Sequence, residues 1–211
     1  PHPPWVAPEP YNAMYDPGDV PSPRRAASPE EEAAQHPLLA LMIENHWRKR
    51  YLLNHNGREA DIDDFTILQA RATYYGLMSE ADHHIGRIID YLKKSGQYDD
   101  TLIIFTSDHA EHLGDHHLQG KSGYFDEAFH IPLIIRDPDA AKIGTRGGEI
   151  VAFTENVDVM PTILDWLGRE VPAQCDGVTL MPFVRGGKPD NWRSEAHWEF
   201  DWRHVPELIG E

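Results

Sequence analysis

Thr101-Leu-Ile-Ile-Phe-Thr-Ser-Asp-His-Ala-Glu-His-Leu-Gly-Asp-His-His-Leu-Gln-Gly-Lys121 holds the features on which the fold turns. An apolar, largely β-branched run (Leu102, Ile103, Ile104, Phe105) stops abruptly at a carboxylate and an imidazole, Asp108 and His109. Strand ends in α/β proteins are where ligands bind, because a rigid sheet holds the side chains while they face the crevice beyond it. Asp and His together offer a divalent cation one oxygen and one nitrogen. Lys121, further on, can neutralise an anion sitting on that cation. By itself an Asp-His pair after a strand is an ordinary turn. The strand end, the small Ala110, Gly114 and Lys121 together point to an anionic-ester site instead. Two residues cannot hold a metal, since such sites use about three or four protein ligands, so the others must come from elsewhere.

On either side of this stretch the pattern alternates. Leu68, Tyr75, Leu77, Ile85, Ile88, Ile89 and Leu92 recur near helical period and predict one long helix from about Asp64 to Ser95, stopped by Gly96. A second strand is expected over Ile131–Arg136, where Pro132 suits a strand start, and a third over Glu149–Phe153. Asp137–Gly148 reads as a polar turn region, and Val157–Leu167 as a helix ended by Gly168. Upstream, residues 1–37 are proline-rich and carry Trp5, Tyr11 and Tyr15, which suits a segment lying across a surface. Ser28 followed by Pro29 and three glutamates starts a short helix, and residues 38–53 also read as helical. The tail, 169–211, with Trp192, Trp198 and Trp202, is aromatic and irregular. Helices alternating with strands make the chain α/β, a mixed sheet flanked by helices. Only two or three strands are visible, against roughly four to six in a usual sheet.

The 211 residues suffice for a buried core, with residues 64–168 as the α/β part. Nineteen basic against 35 acidic residues give a formal charge of −16, which repels phosphate backbones and argues against a nucleic-acid partner. A small anionic substrate stays compatible, because a local metal and lysine outweigh the distant field. No apolar run is long enough to span a bilayer, so no membrane partner is expected. The single cysteine, Cys175, fits a reducing compartment, and a cytoplasmic location is the expectation.

Several stretches resemble a known family. Ser107-Asp108-His109-Ala110-Glu111, Leu113-Gly114-Asp115-His116 and Gly120-Lys121 resemble the S-D-H-G-E-x-L-G-D-H…K motif of the sulfatase branch of the alkaline phosphatase superfamily, phosphonate monoester hydrolases above all. Pro1-His2-Pro3-Pro4 with Pro10–Tyr15, the helix Asn156–Gly168, and Cys175–Phe183 resemble further stretches of that family, in its order. The resemblance implies an alkaline phosphatase/sulfatase-like fold, present here as a C-terminal portion. It implies that Asp108 and His109 ligate one divalent metal, manganese first, with zinc, iron or calcium as alternatives. Lys121 would contact the substrate's non-bridging and ester oxygens. His2 would stand beside the leaving oxygen as general acid. The substrate would be a small phosphonate or phosphate ester, and the runner-up activity is that of an arylsulfatase.

Two departures stand out. Ala110 replaces the family's glycine, which strains the backbone only if that position needs positive φ. The family's C-x-[PA]-x-R sequence, whose cysteine becomes the formylglycine nucleophile, is missing. Cys175 is followed by Asp-Gly-Val-Thr and reads as a structural thiol. The missing N-terminal half of the same fold would be the chain's main partner, and 211 residues without it would be a non-catalytic anion- or partner-binding fragment. Among weaker candidates, His117 is expected to be exposed, His116 is open between supporting and exposed roles, His83 and His84 belong to the long helix, and Glu111 serves backbone hydrogen bonding. His36 and His46 have no partner suggested by spacing. The aromatic tail implies core or subunit contact, which leaves room for a homo-oligomer.

Overall fold

The computed structural model describes residues 2–46 and 56–199. These divide into two compact units. The first holds the described residues up to Tyr91 together with His109–Ile131; the second holds Leu92–Asp108 and Pro132–Glu199.

In the first unit, helix α1 (Pro29–Ala33) begins as the sequence predicts. Ser28 Oγ accepts the Glu31 amide at 3.2 Å, with Pro29 and three acids in the first turn. Helix α2 (Pro37–Asn45) is capped by His36, whose Nδ1 accepts the Leu38 amide. The helix ends at Asn45; positions 47–53 of the expected helix lie outside the described residues. Leu39, Met42 and Ile43 bury one face of α2 against Ala60 and Leu118. Each such aliphatic side chain contributes roughly 1.5–3 kcal/mol through burial.

The long helix is present as α3 (Asp64–Lys94). Its inner face carries Ile67, Ala70, Ala72 and Gly76. The proline-rich segment does lie across it: Trp5 packs on Ala70 and edge-on to Tyr74, and Tyr15 Oη pairs with Ser79 Oγ at 2.7 Å. Gly76 permits the closest approach, since a Cβ there would stand 2.1 Å from the Tyr11 carbonyl oxygen. Buried Arg71 ties three segments together by donating to the carbonyls of Pro21 and Leu113 and to Asp115.

The second unit is built on strands β1 (Ile103–Thr106) and β2 (Leu133–Arg136), antiparallel, with Ile103 opposite Arg136 and Thr106 opposite Leu133. Arg136 fixes the start of the ribbon by donating to the Thr101 carbonyl and stacking 3.9 Å from the Tyr98 ring centroid. Phe105 and Ile134 face each other across the pair and are exposed, 40% and 61%. The third expected strand does not form. In Glu149–Phe153, Val151 is 94% exposed and the Phe153 carbonyl is taken by the Trp192 indole N–H, so the segment pairs with a side chain rather than a strand. The polar stretch after β2 contains one turn of helix, α5 (Ala140–Ile143), following α4 (Asp126–Phe129) of the first unit. Asn156–Asp158 leads into α6 (Val159–Trp166), and Gly168, at φ 65°, comes just after it as expected. Helix α7 (Met181–Val184) follows, and the tail around Trp192 and Trp198 is irregular. Trp202 lies outside the described residues.

Candidate active site at the end of strand β1

Asp108 stands two residues beyond β1, exposed, with Ser107 Oγ donating to its Oδ1 at 3.4 Å. The strand exit is held from behind by Asn156, whose Nδ2 donates to the Ser107 carbonyl at 2.8 Å while Thr106 Oγ1 donates to its Oδ1. The boundary between the two units falls directly after Asp108. Ala110 is not among the residues with positive φ, so the alanine costs nothing there; Leu113, His116 and His117 carry the left-handed backbone instead.

His109 and Lys121 come together. His109 Nδ1–H donates to the Ala110 carbonyl at 2.8 Å, and Lys121 Nζ donates to His109 Nε2, also at 2.8 Å. This pairing requires a neutral imidazole with its proton on Nδ1 and a lone pair on Nε2. A histidine that binds a divalent cation needs the same tautomer, fixed by the same kind of carbonyl contact. An imidazole presented in this way, directly after a carboxylate in the sequence, is donor chemistry that suits manganese, zinc or iron better than calcium. Among the described residues no group of three or more His, Cys, Asp or Glu is arranged to hold a metal. His2 is exposed, and its Nδ1–H donates to its neighbour's carbonyl, that of Pro3, at 2.7 Å.

Between His109 and Lys121 the loop folds back on itself. The His112 amide donates to the Gly120 carbonyl and the Gly114 amide to the Leu118 carbonyl. Glu111 Oε1 accepts the Gly120 amide, the backbone role expected of it. Burial pushes the Glu111 carboxyl up to about 7, against the backbone hydrogen bonds it accepts, and the Glu59 charge adds to the rise. His117 corrects the expectation of exposure: it is 6% accessible, because its Nε2–H donates to the carbonyl of Ala26, a residue remote in sequence. His116 is held rather than loose. Its ring lies between Glu32 (3.0 Å) and Glu127 (3.4 Å) and stacks on Phe125 at 3.8 Å. His83 and His84 are exposed on α3. Glu59, Glu32 and Asn156 were invisible as participants in the sequence, since each acts on a residue dozens of positions away.

Burial pushes the His112 imidazole down to about 4, against the bond its Nε2–H donates to the Ser122 carbonyl at 2.9 Å. His116, Glu127 and His46 are the other charged or titratable groups acting on it. Its folded value lies below the ordinary 6.5, so the unfolded chain binds more protons between the two. The stability this gives is complete above pH 6.5 and is lost as pH falls through 4. Glu111 works in the opposite sense, giving stability that is present below 4.5 and lost as pH rises through about 7. His112→Gln keeps a donor for Ser122 and should lose less resistance to urea than the parent between pH 6.5 and 4. Parallel profiles for the two proteins would refute the assignment.

A family model described as Sulfatase matches residues 1–169. This chain belongs to the sulfatase family. The multifunctional alkaline phosphatase superfamily protein PehA of Trinickia caryophylli is 53% identical over 206 residues, covering 97% of this chain and 40% of that protein. The choline-sulfatase of Rhizobium meliloti is 31% identical, over 88% of this chain and 34% of its own length. Among solved structures, the phosphonate monoester hydrolase of Agrobacterium radiobacter superposes with a TM-score of 0.89 at 46% identity, over 96% of this chain and 40% of that one. The sulfatase-family chain thus spans about 40% of the length of these relatives. Its fold is part of the alkaline phosphatase-like α/β fold, helices with a small sheet, as the motifs implied.

Proposed function

We propose that this chain is the metal- and oxyanion-binding part of a hydrolase acting on phosphonate or phosphate esters. One observation carries the reading: the Lys121 ammonium sits 2.8 Å from the His109 Nε2 lone pair, which a bound cation would take in its place and so free the ammonium for the anion, and Asp108 directly precedes His109 in the sequence. The relatives named as a phosphonate monoester hydrolase and as PehA support the substrate class. Asp108 and His109 would hold a divalent cation, manganese first, with further ligands from outside the 211 residues. Such an ion, when bound, withdraws charge from the oxygens of the ester group.

Lys121 meets the anion as a compact point charge, donating to its non-bridging oxygens and to the ester oxygen as the bond breaks. His2 orients by its Nδ1–H bond to Pro3, which leaves Nε2 to carry a proton to the departing alkoxide or phenoxide. The nucleophile comes from outside these residues, since Cys175 is followed by Asp-Gly-Val-Thr and is half-buried. The cytoplasm remains the proposed location, and a small anionic ester the proposed ligand. A second reading, sulfuric ester hydrolysis, is favoured by the choline-sulfatase and arylsulfatase relatives.

The test uses the full reading frame that contains this sequence, and the 211 residues alone. The former should hydrolyse an aryl phosphonate in a manganese-dependent manner. Lys121→Ala should lower the rate about 10²–10³-fold while leaving metal content unchanged, the usual effect of removing one oxyanion donor. The 211 residues alone should turn over nothing. Preference for an aryl sulfate would establish the second reading, and inertness of the full reading frame toward both esters would leave a non-catalytic anion- or partner-binding protein.

A further inference from the structure

We propose that Glu59 and Glu111 are positioning residues for Lys121, clamping the backbone that delivers its ammonium to His109; the inference rests on the reading of those two residues as site residues. The amides of Gln119 and Gly120, the two immediately before Lys121, are each taken by a carboxylate. Glu59 Oε2 accepts the Gln119 N–H at 3.1 Å, and Glu111 Oε1 accepts the Gly120 N–H. The two acids arrive from unrelated places: Glu59 from the turn Glu59–Asp61, Glu111 from the outgoing arm of the loop itself.

Glu59 is 2% exposed and Gln119 likewise 2%, while His46 Nδ1 lies 3.3 Å from the same Glu59 oxygen. Burying carboxylates costs free energy that a plain backbone turn would avoid. What they give in return is a fixed return arm, because Gly120 holds a left-handed φ of 80° that an unrestrained chain readily leaves. The Gly120 carbonyl is fixed as well, by the His112 amide at 2.9 Å. Three bonds to three consecutive peptide units therefore set where Lys121 departs. A side chain with four methylenes needs such an anchored root to keep its ammonium on one ring nitrogen.

The test compares reach with charge. Glu111→Asp keeps the charge but withdraws the oxygen by one methylene; Glu111→Gln keeps the reach and loses the charge. Nitrogen NMR of the 211-residue chain reads the His109 ring, and hydrogen exchange reads the two amides. In Glu111→Asp the Gly120 amide should exchange at least about tenfold faster, and the His109 Nε2 signal should move to where Lys121→Met places it. Glu111→Gln should keep both near the parent. Glu59→Asp should repeat the effect at the Gln119 amide, so the inference remains testable if one variant does not fold. Unmoved Nε2 signals in the aspartate variants, or loss in the glutamine variant with retention in the aspartate one, would overturn the clamp. Ester hydrolysis by the full reading frame decides the site reading separately: inactivity with the Nε2 response intact would remove that reading and leave the clamp standing.

Discussion

Asp108→Ala is expected to abolish metal binding and to lower ester hydrolysis by at least about a hundredfold, since removing even a partner of a metal ligand costs about 10–100-fold. The carboxylate stands exposed past the end of β1, where Ser107 Oγ donates to it. Its backbone is placed by the strand pair and by Asn156 gripping the Ser107 carbonyl, both untouched by the substitution. Stability should accordingly shift by no more than about 0.5 kcal/mol, as at other surface positions. Elemental analysis after gel filtration, with a melting curve alongside, separates the two effects. Metal content equal to that of the parent would remove Asp108 from the ligand set.

The second large effect concerns stability. Asp158 is fully buried and accepts four hydrogen bonds: the Glu155 amide at 2.9 Å, the Val178 amide at 2.8 Å, and both Arg193 nitrogens at 2.8 and 2.7 Å. One carboxylate thus joins the start of α6, the segment after Cys175 and the aromatic tail. Asp158→Ala strands two buried amides and leaves the Arg193 guanidinium to Glu155, whose Oε2 lies 3.2 Å from its Nη1. Breaking a buried ion pair by removing one partner costs about 3–5 kcal/mol, a large part of the 5–15 kcal/mol that holds a domain together. A fall of the urea midpoint is the expected readout. Asp158→Asn, which keeps one acceptor oxygen, should fall between alanine and the parent. A loss under about 1 kcal/mol for alanine would show the tail to be held by other contacts.

Local signals were read well from the residues because local forces produce them. Ser28 and Pro29 cap α1, the period of Leu77, Ile85 and Leu92 belongs to α3, and the run Ile103–Phe105 becomes β1. Glu149–Phe153 misled for a physical reason: β-branched residues favour a strand, but a strand exists only where a neighbour accepts its hydrogen bonds. His117 misled likewise, its burial being decided by the carbonyl of Ala26. At the candidate site, Asp108, His109 and Lys121 stand out in the sequence as a motif, and the structure brings two of them, His109 and Lys121, into contact. The grip of Asn156 on Ser107 and of Glu59 on Gln119 was not, because nothing in a sequence marks which distant amide a side chain will reach.

The two-stranded ribbon shapes how the chain behaves when crowded. Neither strand has a second neighbour among the described residues, and Phe105 and Ile134 lie open side by side. A bare margin of peptide groups next to greasy side chains is a template for any extended polypeptide that drifts past. Handled without the rest of the fold, these 211 residues are therefore expected to associate as their concentration rises.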